Sequence, residues 1–172
     1  MFDDRTKPLY KLCDRIMLGR IEQKDSIPFI KNKFKKKFGN YISDELIEII
    51  LNTAKNHPYY VNVLCHRIFR SDDKISEKLI ESVWHQYALE EKSHIRGELD
   101  LLSTNQQRML ISIAKMDNVH LTGKEFISQT GFSLSSASQA IKNLEKMDYI
   151  SQDDTGKYFV IDPLIEYVFG KM

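Results

Sequence analysis

The run from Ser103 to Leu164 constrains the fold more than any other part of the chain. Three apolar groups come first: Met109, Leu110, Ile113 and Ala114, then Phe126 and Ile127, then Ala137, Ile141, Leu144 and Met147. Their three- and four-residue spacing is helical. Residues that start or stop helices separate them. Ser103 and Thr104 precede a helix over Gln106 to Met116, and Thr122 caps a short second one that Gly131 ends. Ser133 to Ser136 opens the third. The period then changes. Tyr149-Ile150-Ser151-Gln152 and Lys157-Tyr158-Phe159-Val160-Ile161 are strand-like halves around Asp153-Asp154-Thr155-Gly156, a turn in which glycine can take positive φ. Asp162-Pro163 is a cap and first turn for a last helix. Helix, helix, turn, helix, hairpin is the order of a winged helix, expected over residues 98–172.

Upstream, four more amphipathic helices are expected over residues 24–96. Asp25 or Ser26 caps the first, with Pro28 in its first turn and Ile27, Ile30, Phe34 and Phe38 as its stripe. Ser43 opens a second that carries Leu46, Ile47, Ile50 and Leu51. A third starts at Pro58 with Val61, Leu64, Cys65, Ile68 and Phe69. Ser76 caps a fourth, which turns Leu79, Ile80, Val83, Trp84, Tyr87 and Ala88 inward. Short connections make these a small bundle, and Gly97 marks the change to the next unit. Ile16 to Ile21 reads as a short strand or an extended connection. The chain is therefore expected to be mainly α, a four-helix bundle followed by a winged helix with a small β-hairpin.

Charge and cysteine usage narrow the setting. The net charge of +1 conceals an uneven distribution: residues 1–70 hold fourteen Lys/Arg against eight Asp/Glu, residues 97–172 seven against ten. The basic part is not the winged-helix part. Lys31, Lys33, Lys35, Lys36 and Lys37 read as a solvated helix face, with a surface for an acidic partner as the functional alternative. Cys13 and Cys65 lie among apolar residues without metal-ligand spacing, as buried thiols in a reducing cytoplasm would. No apolar run approaches membrane-spanning length, and Met-Phe-Asp-Asp-Arg does not resemble a signal peptide. A cytoplasmic location is expected.

Several chemistries find no support in these residues. No Gly-x-x-x-x-Gly-Lys-[Ser/Thr] occurs, nor an apolar strand ending in an acidic pair for magnesium. His85 and His94 are nine residues apart, which is not metal-ligand spacing. Glu90-Glu91 reads as a wet helix surface, because nothing nearby differentiates the two carboxylates. No catalytic residue and no metal ligand is assigned. For DNA, the third winged-helix helix offers Ser135, Ser136, Gln139, Lys142, Asn143 and Lys146, side chains able to reach bases or phosphates. It carries no arginine, and Asp153 and Asp154 at the wing tip would repel a phosphate backbone. A packing or regulatory role is favoured, and a DNA-binding regulator is the alternative.

Three stretches carry a resemblance. Met1 to Tyr10, continuing into Ile16 to Ile21, is similar to the end of an ATPase core leading into its lid. His57-Pro58-Tyr59-Tyr60-Val61 with Leu64-Cys65-His66 is closely similar to a helical-lid motif. Asp148-Tyr149-Ile150 and Tyr158 to Leu164 resemble a wing and its following helix. Together they resemble the C-terminal half of the archaeal-type P-loop ATPases, of the STAND/AAA+ class. The resemblance implies that residues 1–23 end the core, 24–96 form an AAA+-type lid and 98–172 the winged helix. It further implies that Asn56, His57 and Pro58 lie on the adenine side of bound ATP or ADP. The phosphate loop and the magnesium carboxylate would belong to a core upstream of Met1. Many relatives carry glycines where this chain has Lys55-Asn56, which implies a less close approach of backbone to nucleotide. Arg5 or Lys7 as a trigger across a subunit boundary is weighed against a simple surface salt bridge.

The expected role is thus a lid and regulatory module, not catalytic alone and binding no cofactor by itself. Its expected partner is the ATPase core in cis. Dimerisation through an apolar face left bare by the absent core is a further reading.

Overall fold

The first helix begins a turn earlier than its capping residues suggest. The computed structural model describes residues 21–39, 42–116, 121 and 124–172, and there α1 spans Gln23–Phe38 with Glu22 at its N-cap. The amides of Asp25 and Ser26 both donate to the Glu22 carbonyl at 3.1 Å, so neither residue is the cap. Pro28 therefore lies inside the helix, not in its first turn. Its exposed position makes the missing N–H tolerable, since water can reach the Lys24 carbonyl left over. Gly39, at φ 73°, closes the helix by donating to Lys35 O. The expectations for Cys13, Arg5, Lys7, Ile16 to Arg20 and Thr122 lie outside the described residues.

The next helices follow their stripes. α2 (Asp44–Thr53) is capped by Ser43 and buries Ile47, Ile50 and Leu51. α3 (Pro58–Arg70) buries Tyr60, Leu64 and Ile68. α4 (Glu77–Leu99), capped by Ser76, buries Ile80, Trp84, Tyr87, Ala88, Ile95 and Leu99. It runs unbroken through Gly97, and the break falls at Asp100–Ser103 instead. A helical glycine costs about 1 kcal/mol relative to alanine, less than the roughly 1.5–3 kcal/mol from burying a residue such as Ile95 or Leu99.

α5 (Thr104–Met116) opens with a reciprocal cap: Ser103 Oγ accepts from Gln106 N, and Gln106 Oε1 accepts from Ser103 N. α6 (Lys124–Thr130) ends at Gly131, φ 68°. α7 (Leu134–Lys146) is capped by Ser133 and buries Ala137, Ala140, Ile141 and Leu144. Met147, expected on that inner side, is 47% exposed at the C-cap, because the helix ends before its side chain can turn inward. β1 (Ile150–Gln152) pairs antiparallel with β2 (Tyr158–Val160), Ile150 opposite Val160. α8 (Pro163–Gly170) closes the chain, with Asp162 Oδ1 accepting from Leu164 N and Ile165 N. The architecture is mainly α, with helices preceding a winged helix that contains a small antiparallel hairpin.

One apolar core runs through all of this, from Ile30 and Phe34 through Trp84 to Leu164 and Val168. α8 holds it together by packing on both α5 and α4. The approach to α5 is close: a Cβ on Gly170 would lie 2.3 Å from the Ala114 carbonyl oxygen. α8 thus joins the winged helix to the first four helices.

Candidate functional site

The junction between α2 and α3 is a tight helix stop followed at once by a helix start. Asn56 N donates to Leu51 O at 2.8 Å and Lys55 N to Asn52 O at 3.0 Å, the two bonds of a Schellman stop. Such a stop places a left-handed residue just past the helix, usually glycine. Here Lys55 and Asn56 are both left-handed, at φ 47° and 55°. That conformation costs an ordinary residue roughly 1–2 kcal/mol, less for Asn. His57 then becomes the N-cap of α3 and Pro58 its first residue, but the His57 side chain does not cap the helix.

Asn56 and Pro58 stand at the mouth of a groove of about 550 Å³ between α1 and α3. Its floor and walls are apolar, chiefly Phe34, Phe69, Ile30 and Val61. Phe34 and Phe69 meet edge to face at 4.7 Å and tie the two helices together. Phe29, on the rim, is 63% exposed, with the Lys33 ammonium 5.3 Å from its ring centre. Asn56 Oδ1 is buried and has no hydrogen-bond partner among the described residues. His57 does not line the groove; its ring packs on Tyr60, centroids 4.9 Å apart. Cys65 does line it, but burial pushes its thiol up to about 12, so it stays protonated and is no nucleophile at neutral pH.

Behind the junction lies a polar network that joins it to α8. Lys55 Nζ meets both carboxylate oxygens of Glu166, at 2.5 and 2.6 Å. Glu166 is only 8% exposed, so its charge is poorly hydrated and needs this partner. Tyr60 donates its hydroxyl to Asp162 Oδ2 at 2.6 Å. Burial first, and then that bond, raise the Tyr60 hydroxyl well above the usual tyrosine range. On the far side of Tyr60, Trp84 packs edge-on against Tyr60 and Tyr167.

The α7 face differs in chemistry. Ser135, Ser136, Gln139 and Asn143, with Ser103 and Gln106 at the start of α5, border a shallow depression of about 310 Å³. No charged side chain lines it; Lys142 and Lys146 are exposed but lie outside it. Its polar groups have neighbours of their own, Gln139 Nε2 donating to Asn143 Oδ1 at 3.1 Å and the α7 cap Ser133 Oγ bonding Ser136 Oγ at 2.9 Å. At the wing tip, Asp153 Oδ1 accepts from Thr155 Oγ1, Thr155 N and Lys157 N. The Thr155 hydroxyl first, and then the Lys157 amide, hold its carboxyl below the usual range, so the tip keeps its negative charge.

Other charged residues have local partners. Lys31 pairs with Asp44, and Lys37 lies over the Phe38 and Phe69 rings. Arg67 pairs with Glu90 at 2.7 Å and stacks on Tyr87. Among the described residues, no three His, Cys, Asp or Glu side chains converge to hold a metal, and no helix is long and apolar enough to cross a membrane. Reading residue by residue misses Phe29, Phe34 and Phe69 as groove walls and Lys55 with Glu166 as a pair. Each is ordinary in its own segment, and 111 positions separate the pair.

Residues 85–169 match the model of a family described as a probable winged helix domain. No curated protein matches the chain. Among solved structures, the Walker-type ATPase PABY2304 of Pyrococcus abyssi shares the fold, with a TM-score of 0.71 and 21% identity. The likeness covers 98% of this chain, which spans 47% of the length of that ATPase.

Proposed function

We propose that the chain is the lid and winged-helix portion of a P-loop ATPase of the STAND/AAA+ class, with the lid over residues 24–96 and the winged helix over 98–172. In this reading a phosphate-binding core outside these residues holds the phosphates and magnesium of ATP or ADP. The Asn56–Pro58 junction closes on the adenine and ribose. What supports the reading most is that 98% of the chain follows the fold of under half of a Walker-type ATPase. The groove chemistry agrees with it. Aromatic and aliphatic walls suit a flat heterocycle, and the first amides of α3, left without a side-chain cap by His57, suit electronegative atoms.

Closure, not bond breaking, is the role of these residues. Asn56 and Pro58 would position the base, Lys33 and Phe29 would border it, and the winged helix would set how readily the lid moves. Titration calorimetry of ATP or ADP into this chain should show binding no tighter than ~1 mM (about −4 kcal/mol), because no phosphate loop is present in these residues. Micromolar affinity would sink the reading. A phosphate-loop motif encoded in frame upstream of Met1 would strengthen it directly.

The alternative, a DNA-binding regulator reading bases with Ser135, Ser136, Gln139, Asn143 and the two lysines, rests on the exposure of Ser135, Gln139, Lys142 and Lys146 on α7, with Ser136 and Asn143 half-buried. The uncharged depression and the acidic wing tip weigh against it, since phosphate neutralisation supplies most non-specific affinity.

A further inference from the structure

We propose that α8 is a latch that holds the Lys55–Asn56 turn in its left-handed form, so that undocking of the winged helix reshapes the mouth of the α1/α3 groove. Three side chains, two from the first four helices and one from the α2–α3 turn, reach α8 and its cap: Tyr60 bonds Asp162, Lys55 bonds Glu166, and the His85 ring lies 3.2 Å from the Tyr167 hydroxyl. Residues 162 and 166 are one helical turn apart, so they present one face to the junction.

The sharing is close at both points. The Asp162 carboxylate is divided, with Oδ1 capping α8 and Oδ2 accepting the Tyr60 hydroxyl. The start of α8 and the first turn of α3 therefore depend on the same group. The Lys55 ammonium reaches Glu166 from a backbone at φ 47°, a conformation unfavourable for lysine without compensation. Glu166, nearly enclosed, needs that ammonium as much as the turn needs the carboxylate. If α8 leaves, Lys55 loses the interaction that offsets its backbone, and Asn56 loses the geometry that holds its amide on Leu51 O. Coupling of this kind runs both ways. A change in the turn must weaken α8 as a change in α8 weakens the turn.

The coupling itself needs no ligand; its consequence for a nucleotide rests on the reading of the groove given above. The test is amide exchange, read by NMR on the 172-residue chain, in wild type, Glu166→Gln, Lys55→Gln and the double variant. Glu166→Gln should speed exchange at Asn56 and His57 by about tenfold, within the usual range of coupling between sites, and leave the α5 amides unchanged. Lys55→Gln should speed exchange at Glu166 and Lys171, and the double variant should resemble either single one, as members of one pair do. Faster exchange in α8 with Asn56 and His57 at wild-type rates would overturn the latch, and so would additive effects of the two substitutions. Should Glu166→Gln unfold the chain, Tyr60→Phe decides on the same readout, because it removes one hydroxyl and keeps the ring. Turn amides indifferent to α8 would overturn the latch and leave the nucleotide reading standing. Micromolar ATP binding would do the reverse.

Discussion

The groove between α1 and α3 and the face of α7 are both open surfaces on helical units, yet they are built for different things. The groove is largely apolar and aromatic, with Lys33 and Asp25 both among its lining residues, a strained turn at its mouth and a carboxylate network behind it. The depression beside α7 is shallow and lined by no charged side chain, Lys142 and Lys146 lying outside it, and hydroxyls and amides there bond one another. In a winged helix that reads DNA, the third helix would be expected to carry the binding chemistry. Here the organising contacts sit on α8 instead, which packs on both α4 and α5. The contrast fits the proposed reading, in which the winged helix acts as a packed and coupled unit through α8 and not through α7.

The largest expected effect comes from emptying the floor of the groove. Phe34→Ala removes a 1% exposed ring that contacts Phe69, and should cost about 3–5 kcal/mol of stability in urea unfolding. A loss under 1 kcal/mol would mean that the groove has no real floor. Next is Gly170→Ala, whose new Cβ meets the Ala114 carbonyl at 2.3 Å and must push α8 away from α5. Overpacking of this kind costs about 1–3 kcal/mol and should lower the melting temperature; an unchanged melt would contradict the close approach.

A comparable or smaller loss follows Tyr60→Phe, which strands one oxygen of Asp162. Hydrogen bonds to charged groups contribute about 1.5–3 kcal/mol. The same residue predicts a pH dependence. Its folded-state pKa is raised, so the folded form favours the neutral hydroxyl. That stabilisation is fully present below the unfolded value of about 10 and declines as pH rises beyond it. Denaturation at alkaline pH should therefore be shallower in Tyr60→Phe than in wild type. Tyr87, raised by burial and then by its contact with Tyr59, contributes in the same sense.

The smallest effect belongs to the other half of the comparison. Replacing Lys142 and Lys146 together by glutamine should change stability by no more than about 0.5 kcal/mol each, as exposed substitutions do. Wild-type protein at low micromolar concentration should leave duplex DNA unshifted in gels. A salt-dependent shift, lost in the double variant, would reverse the comparison and make α7 the working face.

Much of the fold could be read locally. Ser43, Ser76, Ser133 and Asp162 all cap helices as their sequence positions suggest, because a cap is a bond between residues two or three apart. The hairpin was equally readable, since Gly156 at φ 81° and the Asp153 side chain organise their own turn. Local reading failed where remote burial outweighs a local signal. Gly97 suggests a break, but Ile95 and Leu99 are both buried and keep α4 continuous across it. At α1, two good capping residues lose to Glu22, because the buried positions Ile30 and Phe34 need only the later turns, and the exposed first turn is free to extend.

The sequence by itself determined the order of the helices, the caps at Ser43, Ser76, Ser133 and Asp162, the hairpin and the abrupt junction at Asn56–Pro58, because each depends on backbone propensity and neighbours within a few residues. Only the tertiary structure decided that Phe34 and Phe69 enclose a groove beside that junction, and that Lys55 and Tyr60 are held by Glu166 and Asp162. The physical reason is distance along the chain. Those partners lie about a hundred residues away, and only burial of a common core brings them within hydrogen-bond range.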